Sequence, residues 1–393
     1  MDALLKGEQA VLGAVLLDPA QLDRLSWLTP ADFYRPAHRA LFAAMRTVRT
    51  NGLPALDAKG NVPLSWVTDI LTEAGRHVRG LTASYPHTLI AACPRAQNAP
   101  VYGRMVLEGS IHRTVLEHAV RLEHVARTEA DRQEVEGVLH QADVLTGVLG
   151  DLARRWGSEP RPVPLAGAAA SSKPSPVGPE ETEEERFLLA VLVSQPGAMA
   201  EVYDWLRPGD FADAGHGQVY RCLGALHHRG EPIDNVTALW EVQRRGLLAG
   251  GTLSQDQLDD LFGGPGAGSA EWLGEQLLRS SLTRTAAGAA LRIAAHADDQ
   301  RLAPGQLIGH ALHALDPLDD IRARWGKAGS PPQPQPLPDQ SARVSAALTR
   351  SPQGRPSHRR LPAPQTDLKR PVRAAQSAPL RPHGSPLPGP RRP

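Results

Sequence analysis

Apolar residues along this chain recur at three- and four-residue spacing, not in alternation. Leu12, Val15 and Leu16 follow the i, i+3, i+4 rule, and Leu41, Met45 and Val48 lay one apolar stripe along a helix that starts at Pro36. Thr29-Pro30-Ala31-Asp32 reads as a helix start, with an N-cap, a proline in the first helical position and an acid in the first turn. Gly52 and Gly230 stand where C-terminal caps are wanted. Residues 100–127 and 271–298 carry long helical patterns, each followed by a shorter one that ends in Arg-Trp-Gly. Runs of alternating β-branched residues are missing. The pattern predicts an all-α fold in which a helical head is followed by a helical hairpin.

It predicts that unit twice. Trp27, Asp32, Phe33 and His38 recur as Trp205, Asp210, Phe211 and His216, and the same offset carries Gly52 and Pro54 onto Gly230 and Pro232. Both halves open with a Glu and an apolar run, Glu8–Leu17 and Glu185–Val193. They close on Asp151-Leu-Ala-Arg-Arg-Trp156-Gly157 and Asp320-Ile-Arg-Ala-Arg-Trp325-Gly326. An ordered series of matches at near-constant offset points to duplication. We therefore expect a first repeat at 1–157, a Pro/Ser/Ala linker at 158–179, a more divergent second repeat at 180–326, and a basic, Pro-rich tail at 327–393. The tail is too poor in apolar residues to fold and is expected to be disordered.

Charge separates the tail from the rest. Residues 327–393 hold twelve Lys or Arg against two acids, a net of +10, which leaves −9 for residues 1–326. Cys93 and Cys222 lie in different halves and make neither a disulfide framework nor a zinc site, which suits a reducing cytoplasm. The apolar run Ala10–Leu17 is short and stops at Asp18-Pro19, so it reads as neither a leader nor a membrane span.

Little in the chain reads as catalysis. His112, His118 and His124 are six residues apart, so each is rotated by about 240° from the last and they cannot share a metal. His310 and His313 share a face but lack a third ligand nearby. No catalytic residue, cofactor or metal site is expected. Glu180, Glu181, Glu183, Glu184 and Glu185 read as acids favouring the positive end of a helix. Phe33, Phe211, Trp27 and Trp205 read as core, and His38 and His216 as hydrogen-bonded within the fold. Trp156 and Trp325, with Arg155 and Arg324, are candidate docking points for a partner, because Trp and Arg are favoured interface anchors. In the tail, Arg359, Arg360, Lys369, Arg370, Arg391 and Arg392 are candidate contacts to DNA phosphates, without aromatic residues to read bases.

Three stretches carry a resemblance. Glu8-Gln-Ala-Val-Leu-Gly-Ala-Val-Leu-Leu-Asp18-Pro19 and Asp32-Phe33-Tyr34-Arg35-Pro36-Ala37-His38-Arg39-Ala40-Leu41-Phe42 resemble the opening of the N-terminal collar domain of DnaB-type replicative helicases. Asn98-Ala99-Pro100-Val101-Tyr102 resembles the start of that family's hairpin. The second repeat is weaker, with Phe211-Ala212 for Phe33-Tyr34 and the Glu-Gln-Ala opening lost. The resemblance implies a helical domain that associates in rings and binds primase through its hairpins, and that contributes no catalytic residues. The family's motor needs Gly-x4-Gly-Lys-Ser/Thr to cradle phosphates and magnesium. The Gly-Lys at Gly326-Lys327 is followed by Ala328, and the glycine-rich Gly263–Gly268 holds no lysine. The expectation is a non-catalytic replication accessory protein that binds a replicative helicase, a primase or copies of itself. The alternatives are a nonspecific DNA binder acting through its tail and a divergent helicase.

Overall fold

The computed structural model describes residues 3–52, 54, 62–164, 179–248, 250–251, 253–264 and 266–328. The first half runs α1 (Ala3–Leu17), α2 (Gln21–Arg24), α3 (Pro36–Thr50), α4 (Leu64–Gly75), α5 (Tyr85–Ala92), α6 (Ala99–Arg132) and α7 (Glu136–Trp156). The second runs α8 (Pro179–Ser194), α9 (Ala198–Val202), α10 (Ala214–Arg229), α11 (Asn235–Arg244), α12 (Gln255–Gly263), α13 (Ala270–Asp298) and α14 (Pro304–Ala328). No strand occurs among the described residues, and none of their helices is long and apolar enough to cross a membrane.

Local chemistry explains the boundaries. Thr29 caps a single 3-10 turn over Pro30–Asp32, and Arg207 stands in the same place before Pro208–Asp210. α3 starts at Pro36 as the stripe predicts, and Gly230 closes α10 with φ 68°. The turn between α6 and α7 hangs on Gln133, held at φ 56° while Glu134 N donates back to Glu129 O. That conformation is uncommon for a side-chain-bearing residue and reverses the chain sharply.

In each half a head of short helices sits on the first, long helix of a hairpin, and contact requires glycine there. A Cβ at Gly103 of α6 would stand 2.8 Å from Leu25 Cδ2 and 3.1 Å from Trp27 Cη2. One at Gly274 of α13 would stand 2.6 Å from Trp205 Cη2 and 3.0 Å from Val202 Cγ1. The two hairpins then pack on each other, α6 along α13 and α7 against α14. Leu107, Ile111, Val115, Ala119, Leu122 and Ala126 form the buried stripe of α6. α13 answers with Ala286, Ala289, Ala290, Ile293 and Ala297, small residues that let the helices approach closely. One continuous apolar core therefore runs through both halves.

The linker expectation changes at its start. Residues 158–164 hold no regular secondary structure and reach α14, where Val163 N donates to Gly309 O at 2.9 Å and His310 Nδ1 is 2.9 Å from Val163 O. A Cβ at Gly309 would come within 2.8 Å of Val163 Cγ2. The remainder, 165–178, and the tail from 329 onward lie outside the described residues, as do the six tail cations proposed to meet phosphate.

Candidate functional site

Two buried carboxylates organise each head, and the arrangement is built twice. On α1, Glu8 is fully buried and accepts from Tyr34 N and, at 3.5 Å, from Arg35 N, the amides that lead into α3. His38 Nδ1 is 2.6 Å from Glu8 Oε2, and His38 Nε2 is 2.7 Å from Tyr85 Oη. A carboxylate at Nδ1 places a ring proton there. In the second half Glu185 accepts from Ala212 N, from Asp213 N at 3.2 Å and from His216 Nδ1 at 2.9 Å. Glu185 thus departs from its reading as one of five acids favouring the positive end of a helix: it is 1% exposed and does the work of Glu8. An unpaired charge so buried would cost several kcal/mol, and these donors offset it. The signal was present in the spacing, 30 residues from Glu8 to His38 and 31 from Glu185 to His216.

The second carboxylate ties head to hairpin. Asp32 accepts from Thr29 N at 2.7 Å, Ser110 Oγ at 3.1 Å and Arg155 Nη2 at 2.7 Å, while Arg113 Nη2 donates to its carbonyl at 3.0 Å. Asp210 repeats this with Arg207 N at 2.7 Å, Ser281 Oγ at 3.3 Å, Arg324 Nη1 and Nη2 at 2.5 and 2.9 Å, and Arg284 Nη2 on its carbonyl at 2.5 Å. Burial works against the charge of Arg324, but hydrogen bonding and attraction to Asp210 outweigh it and push its pKa up.

This placement corrects the docking expectation for Arg324, which is 5% exposed and committed inside the fold. Arg155 keeps a partly exposed side chain and has Asp32 as its internal partner. Trp156 and Trp325 are half-buried, each under a guanidinium from the first hairpin helix: Arg104 lies 4.4 Å above Trp156 and Arg279 5.1 Å above Trp325. The tryptophans therefore occupy equivalent half-open positions at the ends of α7 and α14.

Side chains that sequence reasoning passed over hold the halves together. His112, set aside as one of three scattered histidines, is buried at the hairpin pairing, with Nδ1 2.9 Å from Ala297 O and Nε2 3.0 Å from Leu302 O. Arg322 donates to Asp143 Oδ1 at 2.8 Å and to Leu139 O at 3.0 Å. Burial pushes the Cys93 thiol up and the Cys222 thiol up to about 11, which keeps both protonated and unreactive near neutral pH. Among the described residues no cluster of His, Cys, Asp or Glu could hold a metal ion.

The surfaces this geometry leaves for function are the hairpin ends and the outer faces of the two heads. Residues 2–108 and 177–260 match the family model described as DnaB-like helicase N terminal domain. The chain is 38% identical over 140 residues to the replicative DNA helicase DnaB of Geobacillus stearothermophilus, a match covering 35% of this chain and 29% of that protein. It is 34% identical over 140 residues to the replicative DNA helicase DnaC of Bacillus subtilis (strain 168), with the same two shares. With the replicative DNA helicase DnaB of Mycobacterium leprae (strain TN) it shares 35% identity over 144 residues, 35% of this chain and 22% of that one. The chain thus spans less than a third of the length of these relatives.

Proposed function

We propose that this chain, whose residues 2–108 and 177–260 match the DnaB-like helicase N terminal domain, is a non-catalytic accessory protein of DNA replication. In this reading residues 1–157 and 180–326 are two collar-like repeats that arose by duplication and act by binding a replicative helicase, a primase or further copies of themselves in the cytoplasm. The observation that carries it is the twofold construction of one framework, Glu8–His38 with Asp32–Arg155 and Glu185–His216 with Asp210–Arg324. Relatives named as replicative helicases support the replication context, and the missing Gly-x4-Gly-Lys-Ser/Thr within these 393 residues supports a non-catalytic role. Trp156 and Trp325, open on one side at the hairpin ends, are the proposed docking points.

The test is co-sedimentation of the full chain with the replicative helicase and with primase in moderate salt, beside an ATPase assay. Retention of either protein without ATP hydrolysis is expected, with binding lost in the Trp156→Ala, Trp325→Ala double variant. Retention of neither would leave only self-association or tail-driven DNA binding, and hydrolysis would replace the accessory reading with the divergent-helicase one. The net +10 of residues 327–393 favours one further activity, nonspecific DNA binding through the tail. It should weaken steeply with salt and vanish when residues 329–393 are deleted.

A further inference from the structure

The two heads differ at one place where the framework makes their positions comparable. Phe33 pairs its ring with Phe42 at 4.8 Å, and Phe211 with Tyr220 at 5.1 Å, so α3 and α10 align turn by turn and Arg46 corresponds to Gly224. In the first head Arg46 Nη1 lies across the surface and donates to Leu28 O at 2.8 Å. In the second the Tyr220 hydroxyl, which Phe42 lacks, donates to Leu206 O at 3.2 Å. The carbonyl stays satisfied, and in place of an arginine the Tyr203 ring and Met199 Cε lie over Gly224, 3.2 and 3.6 Å from where its Cβ would stand. Beside them lies a cavity of about 540 Å³ lined by Tyr203, Asp204, Leu206, Pro208, Tyr220, Arg221, Gly224, Ala225, His228 and Arg245.

Its lining carries three basic side chains, Arg221, His228 and Arg245, against one acid, Asp204. Arg221 and His228 have no ion-pair or hydrogen-bond partner among the described residues. Arg245 gives its Nε to Glu241 Oε1 at 2.7 Å, which holds the side chain in place. Glu241 is itself shared with Arg229 and Arg244, so it neutralises Arg245 only in part. Two guanidiniums and an imidazole exceed what a carboxylate's two oxygens need and suit a phosphate. A phosphate alone would leave most of the cavity empty. The floor made by Gly224, Leu206 and the Tyr203 ring is apolar and suits a flat ring.

We propose that this cavity in the second head binds a nucleoside phosphate, with the phosphate on Arg221, His228 and Arg245 and the base over Gly224 and Tyr203. The site goes beyond a protein-docking role and belongs to the second head alone, since Arg46 occupies its counterpart.

Calorimetric titration of the full chain tests it with AMP, with adenosine and inorganic phosphate separately, and with a short oligothymidylate. AMP is expected to bind more tightly than either of its parts, and Gly224→Arg and Arg221→Ala are each expected to weaken it about tenfold or more. If variant-sensitive binding is confined to the oligothymidylate, the nucleoside phosphate is presented by a strand and not as free nucleotide. The proposal is overturned if neither AMP nor the oligothymidylate binds, or if both variants bind them as the parent does. A Cβ at Gly224 meets the half-exposed Tyr203 ring at 3.2 Å, which can shift. Should Gly224→Arg still misfold by circular dichroism, the exposed Arg221→Ala change carries the test.

Discussion

Arg155 and Arg324 perform one task under different exposure, and that difference sets their expected costs. Arg324 grips both oxygens of Asp210, and both side chains are nearly inaccessible. Replacing it with alanine leaves a buried carboxylate with only Ser281 and a backbone amide, an expected loss of about 3–5 kcal/mol. The Arg155 side chain is 32% exposed, so water can reach Asp32 in its absence. Arg155→Ala is expected to cost about 1–2 kcal/mol. Urea denaturation of the two variants checks the order, and equal losses would mean that burial does not set the value of the pair. Glu241 gives a pH signature of its own. Burial pushes its carboxyl up, but hydrogen bonds from Arg245, Arg244 and Arg229 outweigh this and hold it at about 2. An unfolded glutamate titrates near roughly 4.3. The stabilisation is therefore present above that value and is lost as pH falls toward about 2. Glu241→Gln should flatten the fall of the urea midpoint across this acidic range while leaving its slope near neutrality unchanged.

At the scale of elements, the head-to-hairpin crossing depends on the absence of a side chain. Gly274 faces Trp205, which is 6% exposed, whereas Gly103 faces Trp27, which is 36% exposed and can yield, although both rings donate Nε1 to a nearby carbonyl, Glu201 O at 2.9 Å and Arg24 O at 3.0 Å. Gly274→Leu should therefore destabilise by about 1–3 kcal/mol, and Gly103→Leu by less, in the same urea experiment. This is also where reading the sequence reaches its limit. The stripe Leu41, Met45 and Val48, the Pro36 start and the long patterns over 100–127 and 271–298 were legible because they depend on neighbours three and four residues away. The pairing of Asp32 with Arg155 joins residues 123 apart, and its twin was visible only as an unexplained repetition of Arg-Trp-Gly. Trp27 was taken as core and turned out half-exposed, because its partner surface is set by how a distant helix crosses it. The outline of the candidate docking ends was thus in the sequence, while the inward commitment of Arg324 and the cavity over Gly224 required the heads to be assembled.

For the whole molecule, the decisive feature is that the two hairpins meet within one chain. A lone hairpin would expose the apolar stripe of α6; here α13 covers it, and His112 and Arg322 add polar contacts that lock the register. Such an interface is held mainly by burial and should survive loss of the covalent connection. A protease site inserted between residues 170 and 171 would cut the chain between α7 and α8. After cleavage the halves are expected to co-elute from a sizing column at the volume of the intact chain. His112→Ala with Arg322→Ala should weaken that association, because each substitution leaves a backbone carbonyl at the interface without its donor. Separation of the parent halves at micromolar concentration would mean that the connection, and not the pairing, keeps the repeats together. Each hairpin would then be free to pair with a partner's helices, which would move the proposed docking surface from the tryptophan ends to the long faces of α6 and α13.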